Sequence, residues 1–287
     1  MWSARLPPSP AELRAGAAEA DGLLTLLSDR IDAELLAHCP RLKAISNYAV
    51  GYDNIDLEAA ASRSIPVGHT PDVLTDATAD LAFALLLAAA RMLPEAIESV
   101  RQGDWLTWEP ARPLGHEVHG ATLGIVGLGR IGRAMAKRAR GFEMPVLHTS
   151  ASAGAEVPLE ILLERSDFVS LHCPLTPHTH HLIDCAALAR MRPDAILINT
   201  ARGAIVDHEA LRGALTSGTI AGAALDVTEP EPLPVGHPLR SAPNLIVTPH
   251  IGSATRFARE RMTELAVENL LAGLEGHPMP HQVGGRS

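Results

Sequence analysis

One stretch constrains the fold of this chain more than any other: TLGIVGLGRIGRAMAKRAR, residues 122–140. It runs from a short apolar strand pattern through a glycine turn into a helical pattern, and Gly127, Gly129 and Gly132 have the spacing GxGxxG. In that context the first glycine permits a tight turn, the second lets the backbone approach a pyrophosphate, and the third lets helix and strand pack closely. The start of the helix adds free N–H groups and the positive end of a dipole. The stretch therefore predicts a dinucleotide-binding turn.

Short apolar runs and helical patterns alternate along the rest of the chain, as in βαβ units around a parallel sheet. Most of the apolar runs are continuous, which is typical of strands covered on both faces. Pro94 is expected to kink or split the long helix that its surroundings predict. The predicted strands are 22–28, 43–47, 66–70, 122–127, 145–149, 168–173, 195–200, 221–227 and 244–250, and the predicted helices are 10–19, 31–38, 75–101, 130–140, 184–190, 207–217 and 255–272. The fold class is α/β, with a Rossmann-type doubly wound parallel sheet.

Charge and composition argue against several classes of partner. The formal net charge of −9 disfavours nucleic acid or an anionic membrane surface as the main partner. The longest apolar run, residues 81–90, is shorter than the roughly 20 residues that a membrane span needs. The three cysteines, Cys39, Cys173 and Cys185, are widely spaced, which indicates reduced thiols. We therefore expect a cytoplasmic protein that binds neither nucleic acid nor a membrane.

The residues after the strand at 145–149 bear on which dinucleotide is bound. An NAD-binding turn has an Asp or Glu about 20 residues after its first glycine, where it holds the ribose 2′-OH. At that point this chain has His148, Thr149 and Ser150, with no carboxylate to repel a 2′-phosphate. The hydroxyls of Thr149, Ser150 and Ser152 can donate to such a phosphate, but no Arg or Lys lies between residues 140 and 165 to neutralise it. NADP(H) is therefore favoured, and NAD(H) stays possible.

Three charged or titratable side chains follow the glycine turn: Arg202 in INTARGAIVD, Glu231 in LDVTEPEPLP and His250 in VTPHIGSAT. Each lies just past the end of a predicted strand, where ligands bind in open α/β sheets. Their order and spacing resemble the Arg–Glu–His catalytic set of the D-isomer-specific 2-hydroxyacid dehydrogenases. Residues 70–110 and the stretches EPEPLPVGHPL and PHIGSAT resemble the glyoxylate reductase/hydroxypyruvate reductase branch of that family more closely.

The resemblance implies a role for each member of this set. His250 would give a proton to the carbonyl oxygen of a 2-oxo acid while the nicotinamide gives hydride to its carbon. A group that titrates near neutrality suits both directions of that reaction. Glu231 would favour the charged imidazole and fix its tautomer. Arg202 would bind the substrate carboxylate and polarise the carbonyl group.

The same resemblance implies further binding residues. The backbone N–H groups of Val50 and Gly51, in NYAVGYDNID, would bind the substrate carboxylate. Trp108, in the segment 104–117, would reach across a homodimer into the partner's active site. Besides the glycines and hydroxyls above, the residues expected along the cofactor groove are Thr75, Arg130, Ile131, Cys173, Pro174, Thr200, Ala201, Asp226, Gly252 and Ser253.

No metal site is expected from the sequence. His178, His180 and His181 lie close together in TPHTHHLID, but on a predicted loop with no carboxylate or cysteine at metal spacing. They are therefore interpreted as solvated histidines. Glu229 belongs to the same loop as Glu231, and the register of the motif selects Glu231 as the catalytic residue.

Two domains are implied, with a discontinuous boundary. The dinucleotide-binding domain is expected at 74–255, and the substrate domain at 1–73 together with 256–287. The resemblance implies a flavodoxin-like substrate domain that lacks its first strands, because family members have a strand, a helix and a second strand before the equivalent of LPPSPAEL. GLLTLLS, residues 22–28, would then be the edge of its sheet.

The expected activity is the reduction of glyoxylate and hydroxypyruvate to D-2-hydroxy acids. Two alternatives stay open at this point. The chain could be another D-2-hydroxyacid dehydrogenase of the phosphoglycerate or D-lactate type, because the sequence does not resolve the substrate pocket. It could also be a nucleotide-sensing binding protein, because some corepressors of this family retain the same three residues.

Overall fold

A computed structural model describes residues 7–111, 114–150 and 157–284. The chain divides into two compact units, Met1–Leu74 with Ala254–Ser287 as unit 1 and Thr75–Ser253 as unit 2. The boundaries predicted from the sequence differ from these by one and by two residues. The assignment of substrate to unit 1 and cofactor to unit 2 stays a prediction.

Nine strands and ten α-helices follow one another in the described residues, numbered here in chain order. The strands are β1 (Gly22–Thr25), β2 (Ala44–Asn47), β3 (Val67–Gly68), β4 (Leu123–Val126), β5 (Val146–Thr149), β6 (Phe168–Leu171), β7 (Ile196–Asn199), β8 (Gly222–Leu225) and β9 (Leu245–Val247). The helices are α1 (Pro10–Ala17), α2 (Ala33–Ala37), α3 (Leu57–Ser62), α4 (Thr75–Ala90), α5 (Leu93–Gln102), α6 (Arg130–Ala139), α7 (Leu159–Arg165), α8 (Cys185–Arg190), α9 (His208–Ser217) and α10 (Arg256–Leu274). Short 3-10 helices occur at Arg140–Phe142, Gly203–Ile205 and Pro238–Ser241.

Unit 1 contains a parallel sheet with the strand order β1-β2-β3. Helix α10 packs against it, and its buried Asn269 donates to the His69 carbonyl at 2.9 Å and accepts from the His281 N–H at 2.9 Å. Among the described residues, strand β1 pairs only with β2. Leu24 within β1 and Leu26 just after it are about half exposed. GLLTLLS therefore provides a sheet edge, as predicted.

Unit 2 contains a six-stranded parallel sheet with the order β5-β4-β6-β7-β8-β9. The four inner strands are buried at every position, which confirms the prediction from their continuous apolar runs. On one face Leu86 of α4 and Met135 of α6 pack against Phe168. On the other face, α7, α8 and α9 pack against residues such as Leu171 and Leu197. This two-sided packing leaves the carboxyl ends of the strands open to a ligand.

Helix boundaries in unit 2 follow local chemistry that the sequence makes visible. Asp207 caps α9 by accepting from the Glu209 and Ala210 N–H groups, both at 3.0 Å, and the helix ends at Gly218 with φ +70°. The predicted helix 75–101 is split into α4 and α5 next to Pro94, as expected, and Met92 between them has φ +49°. Among the described residues no single helix has the length and hydropathy needed to span a membrane, and α4 with α5 meets those criteria only as a pair bent by 61°.

Two helices were absent from the sequence prediction, α3 and α7. Both are short, and the alanines of α3 have little hydrophobic periodicity, although Asp56 caps that helix by accepting from the Ala59 N–H at 2.9 Å. Several predicted strands were also too long: 66–70 is reduced to β3 and 244–250 to β9. The apolar pattern continues past the paired residues because the loops at the carboxyl edge are themselves partly buried.

Candidate active site

The glycine turn after β4 has the close contacts that the motif requires. Gly127 has φ +98°, and a Cβ there would lie 2.5 Å from the backbone nitrogen of Cys173. A Cβ at Gly132 would collide with the Gly127 carbonyl oxygen, so only glycine lets α6 pack this close to the turn. A Cβ at Gly129 would meet no atom within 4 Å. Space for a ligand therefore lies beside Gly129.

The position of this turn in the sheet also suits a nucleotide. The chain moves from β4 outward to β5 and then returns to β6 on the other side of β4. Such a switch point opens a crevice at the carboxyl ends of the strands, where open α/β sheets bind ligands. Gly129 caps the N-terminus of α6 and has no side chain to accept from the first N–H groups of the helix. Those donors and the helix dipole fit a pyrophosphate.

A second feature lies at the same edge of the sheet, beyond β8 and β9. The Glu231 carboxylate oxygen Oε1 and the His250 ring nitrogen Nδ1 are 2.5 Å apart. The Thr228 N–H donates to the other oxygen of Glu231 at 3.3 Å. A cleft of about 480 Å³ opens beside Glu231 and His250 within unit 2. The arrangement holds Nδ1 of His250 and leaves its Nε2 to act on a ligand.

The electrostatic environment of Glu231 keeps it ionised. Burial of the carboxyl raises its pKa, but the hydrogen bond and charge of His250, the Thr228 N–H and the charge of Arg202 lower it by more. The resulting pKa of Glu231 lies below its ordinary value. A carboxylate that stays charged is a strong hydrogen-bond acceptor for the Nδ1–H of a neighbouring imidazole ring.

Arg202 follows β7 and approaches the same loop. The buried side chain of Asn199 fixes its turn by donating to the Arg202 carbonyl at 2.8 Å and accepting from the Ala201 N–H at 3.0 Å. A Cβ at the next residue, Gly203, would collide with the Thr228 carbonyl, so the turn packs directly on the loop that leads to Glu231. The structure therefore brings Arg202, Glu231 and His250 to one edge of unit 2.

Comparisons with known proteins show the family of this chain. The family described as D-isomer specific 2-hydroxyacid dehydrogenase, NAD binding domain, matches residues 83–252. A glyoxylate reductase of Korarchaeum cryptofilum is 49% identical over 99% of this chain and 88% of its own length. The chain belongs to the D-isomer specific 2-hydroxyacid dehydrogenase family. It is an oxidoreductase of the glyoxylate reductase branch.

Solved structures of similar proteins have the same fold. The TT0316 protein of Thermus thermophilus has a TM-score of 0.91 and 53% identity, covering 97% of this chain and 90% of that one. An NADPH-dependent glyoxylate/hydroxypyruvate reductase from Sinorhizobium meliloti, in complex with NADP and malonate, has a TM-score of 0.85 and 36% identity. It covers 95% of this chain and 88% of its own. The α/β fold and Rossmann-type domain predicted from the sequence are confirmed.

Asp226 has a role in this dehydrogenase that the sequence did not reveal. Its carboxylate is 1% exposed and accepts from the Thr248 hydroxyl at 2.6 Å and from the N–H groups of Ile251 and Gly252 at 2.9 and 2.7 Å. His250 lies between these contacts with φ +53°, a left-handed conformation that costs a non-glycine residue roughly 1–3 kcal/mol. The Asp226 carboxylate thus holds the Thr248 side chain before His250 and the backbone after it.

The other residues expected along the cofactor groove lie mostly at the carboxyl ends of strands in unit 2. Cys173 and Pro174 follow β6, with Cys173 buried against the glycine turn. Thr200 follows β7, and its buried hydroxyl has no hydrogen-bond partner among the described residues, as a group that awaits a ligand would. The remaining expected positions are Thr75 at the start of α4, Arg130 and Ile131 at the start of α6, Thr149 and Ser150 at the end of β5, and Ala201, Gly252 and Ser253 in the loops above. Ser152 lies outside the described residues.

Three further predictions concern substrate-binding residues that are not members of this cluster. Val50 and Gly51 are in unit 1, where their carbonyl groups accept from His69 Nδ1 at 2.9 Å and from Asn47 at 2.8 Å. The N–H groups of Val50 and Gly51 are therefore the backbone groups of these two residues that could bind an anion. Trp108 is 81% exposed on the segment after α5. The parts that Val50, Gly51 and Trp108 play in substrate binding stay predictions.

The interpretation of the clustered histidines rested on a premise that the structure corrects. The sequence around His178, His180 and His181 contains no acidic partner at metal spacing, yet Glu229 Oε2 lies 3.5 Å from His181 Nε2. The carboxylate comes from the loop after β8, which is distant in sequence but adjacent in the fold. Sequence spacing alone therefore could not reveal this neighbour.

Proposed function

We propose that this protein reduces glyoxylate, hydroxypyruvate and similar small 2-oxo acids to D-2-hydroxy acids. The observation that carries the proposal is the 2.5 Å contact between Glu231 and His250, at the sheet edge that also holds Arg202. Glyoxylate reductases with about half of their residues identical across nearly the whole chain support the same substrate class.

The residues of the chain supply proton transfer and anion recognition. A bound reduced nicotinamide supplies the hydride. Because Glu231 holds Nδ1 of His250, the charged imidazole keeps that proton and presents the proton on Nε2 to the carbonyl oxygen of the substrate. Arg202 carries a permanent charge in a planar fork, which suits a 2-oxo acid carboxylate and the polarised carbonyl beside it.

We propose NADP(H) as the preferred cofactor, with NAD(H) as the alternative. The end of β5 carries Thr149 and Ser150 with no carboxylate at residues 147–150, so nothing there repels a 2′-phosphate. The relatives leave the preference open, because the family description names NAD while the Sinorhizobium meliloti enzyme is NADPH-dependent. Replacement Ser150→Asp should reverse the preference, because the new carboxylate would repel the phosphate and bind a ribose hydroxyl.

The test is the loss of reduced-nicotinamide absorbance with glyoxylate, hydroxypyruvate, pyruvate and 3-phosphohydroxypyruvate, each with NADPH and with NADH. We expect the highest kcat/KM with glyoxylate or hydroxypyruvate as the substrate and NADPH as the cofactor. A preference for pyruvate or the phosphorylated acid would favour a D-lactate or phosphoglycerate type. Tight nucleotide binding without turnover of any acid would favour a nucleotide-sensing binding protein.

We also propose a cytoplasmic homodimer. Leu93, Ile97 and Val100 make one side of α5 apolar and about half exposed, and Trp105 and Trp108 follow it with most of their surface accessible. A second copy that covers this surface would remove a large apolar patch from water. Sedimentation should therefore give a dimer for the native chain and a monomer for Ile97→Glu. The three free cysteines suit the reducing cytoplasm.

A further inference from the structure

Two neighbouring histidines in unit 2 point the same way. Consecutive side chains of an extended segment point to opposite sides, but His181 has φ +50°, which turns the chain back on itself. The His180 and His181 rings therefore stack, with centroids 4.0 Å apart and planes at 26°. Two imidazoles with nearly parallel rings are thus presented together at the surface.

A carboxylate completes the cluster from another loop. The ring nitrogens of His180 and His181 and a carboxylate oxygen of Glu229 all lie within 4.8 Å of one another. The Glu229 oxygen and His181 Nε2 are 3.5 Å apart. Within the described residues, no second group of three such side chains meets the same distance criterion.

The backbones that carry these ligands are held in place. The His180 N–H donates to the Thr176 carbonyl at 2.9 Å and the His181 N–H to the Ala204 carbonyl at 2.8 Å. The buried His208 makes a 3.0 Å contact through Nδ1 with the Glu229 carbonyl. The main chain is thus fixed while the side chains keep freedom, since those of His181 and Glu229 are 40% and 48% exposed.

We propose that His180, His181 and Glu229 bind a divalent transition-metal ion, with water in the remaining positions. Two imidazoles and one carboxylate form a ligand set that suits Zn²⁺, and imidazole ligands disfavour Mg²⁺ and Ca²⁺. Zinc bonds of about 2.0–2.1 Å place tetrahedral ligand atoms about 3.3 Å apart, so the three atoms must approach by at most about 1.5 Å. Rotation of the exposed imidazoles out of their stack accomplishes this.

The site would join two segments that are distant in sequence. Residues 176–183 carry the histidines, and the loop after β8 carries both Glu229 and the catalytic Glu231. The site would share a loop with Glu231 and would use neither Glu231 nor His250 as a ligand. Metal binding is therefore expected whether or not the proposed reductase activity is correct.

The experiment measures Zn²⁺ binding to the untagged full chain by titration calorimetry, and the visible absorption of bound Co²⁺ in parallel. The expected result is one ion per chain and a Co²⁺ spectrum of low-coordinate type. His180→Ala, His181→Asn and Glu229→Gln should each weaken binding by about tenfold or more. Asn is chosen at residue 181 because it tolerates the left-handed backbone conformation.

The matched control is His178→Ala, which removes an exposed imidazole from the same segment but outside the cluster. Its affinity for Zn²⁺ should stay within about twofold of that of the native chain. An equal loss of Zn²⁺ affinity in this control would overturn the assigned ligand set, because any histidine of the segment could then act as the ligand. Absence of saturable Zn²⁺ binding by the native chain would overturn the proposal and leave only the 3.5 Å contact between His181 and Glu229.

Discussion

The replacement Glu231→Gln isolates what the charge of this residue does for His250. Glutamine keeps the shape of the side chain and an oxygen for the Thr228 N–H, but it removes the negative charge 2.5 Å from Nδ1. A hydrogen bond between charged groups contributes about 1.5–3 kcal/mol. Solvent reaches 40% of the Glu231 side chain and 28% of the His250 side chain and weakens their interaction. We therefore expect the replacement to reduce the stabilisation of the transition state by about 1.5 kcal/mol, the lower end of that range.

That loss corresponds to about a tenfold lower kcat for glyoxylate reduction, since 1.36 kcal/mol is a factor of ten. On the acid side, the lowered pKa of Glu231 means that its stabilising contribution is present above its ordinary value of 4.5 and is lost as the pH falls through the lowered value. Steady-state rates from pH 3 to 9 measure both the lower kcat and this loss on the acid side.

Glu143→Gln is the matched control, because this residue pairs with His119 Nε2 at 3.5 Å in the same unit but on an exposed surface. Its kcat and pH profile should equal those of the native protein. If Glu231→Gln retained kcat within twofold and an unshifted profile, the role assigned to the carboxylate would be wrong.

Two further replacements test the support of the site and the pH dependence of stability. Asp226→Asn places an amide N–H₂ group opposite the Thr248 hydroxyl or the Gly252 N–H, both of which donate to the native carboxylate. The free energy of unfolding should fall by about 1–3 kcal/mol, and calorimetry should show a Tm about 2–4 °C lower for each kcal/mol. An unchanged Tm would refute the anchoring role of this carboxylate. Burial lowers the pKa of His172 from 6.5 to about 4 in the folded chain. Between these pH values the unfolded chain binds a proton at His172 that the folded chain does not, so the free energy of unfolding falls as the pH drops from 6.5 towards 4, by up to roughly 3 kcal/mol. His172→Gln, which can still contact Ser170, should flatten this part of the Tm–pH curve, and a curve identical to the native one would contradict the assignment.

The sequence predicted those parts of the fold that depend on local pattern. Apolar runs predicted each of the nine strands in the described residues. The turn at Gly127 was recognisable from its glycine spacing, and the backbone packs against Gly127 and Gly132 too closely for a side chain. The predicted helix 207–217 matches α9, which Asp207 caps. Helices α3 and α7 were missed because they are too short to show a clear hydrophobic period.

Contacts between distant loops were beyond what the sequence could predict. Asp226 was expected to line the cofactor groove, and nothing in LDVTEP shows that its carboxylate accepts from the loop that carries His250. Glu229 was set aside as a neighbour of Glu231, and only the folded chain brings it to His181. Both cases depend on which strands become neighbours, which fixes loop contacts that no spacing along the chain encodes.

The most direct test of the central claim is the rate of glyoxylate reduction by His250→Asn beside that of the native protein. Asparagine tolerates the positive φ at this residue, so the loop held by Asp226 should keep its conformation. With NADPH affinity measured separately by fluorescence, we expect unchanged nucleotide binding and a kcat lower by about 10²–10⁴-fold, the usual contribution of a positioned general acid. A variant that still reduced glyoxylate within tenfold of the native rate would contradict the assignment of His250 as the proton donor.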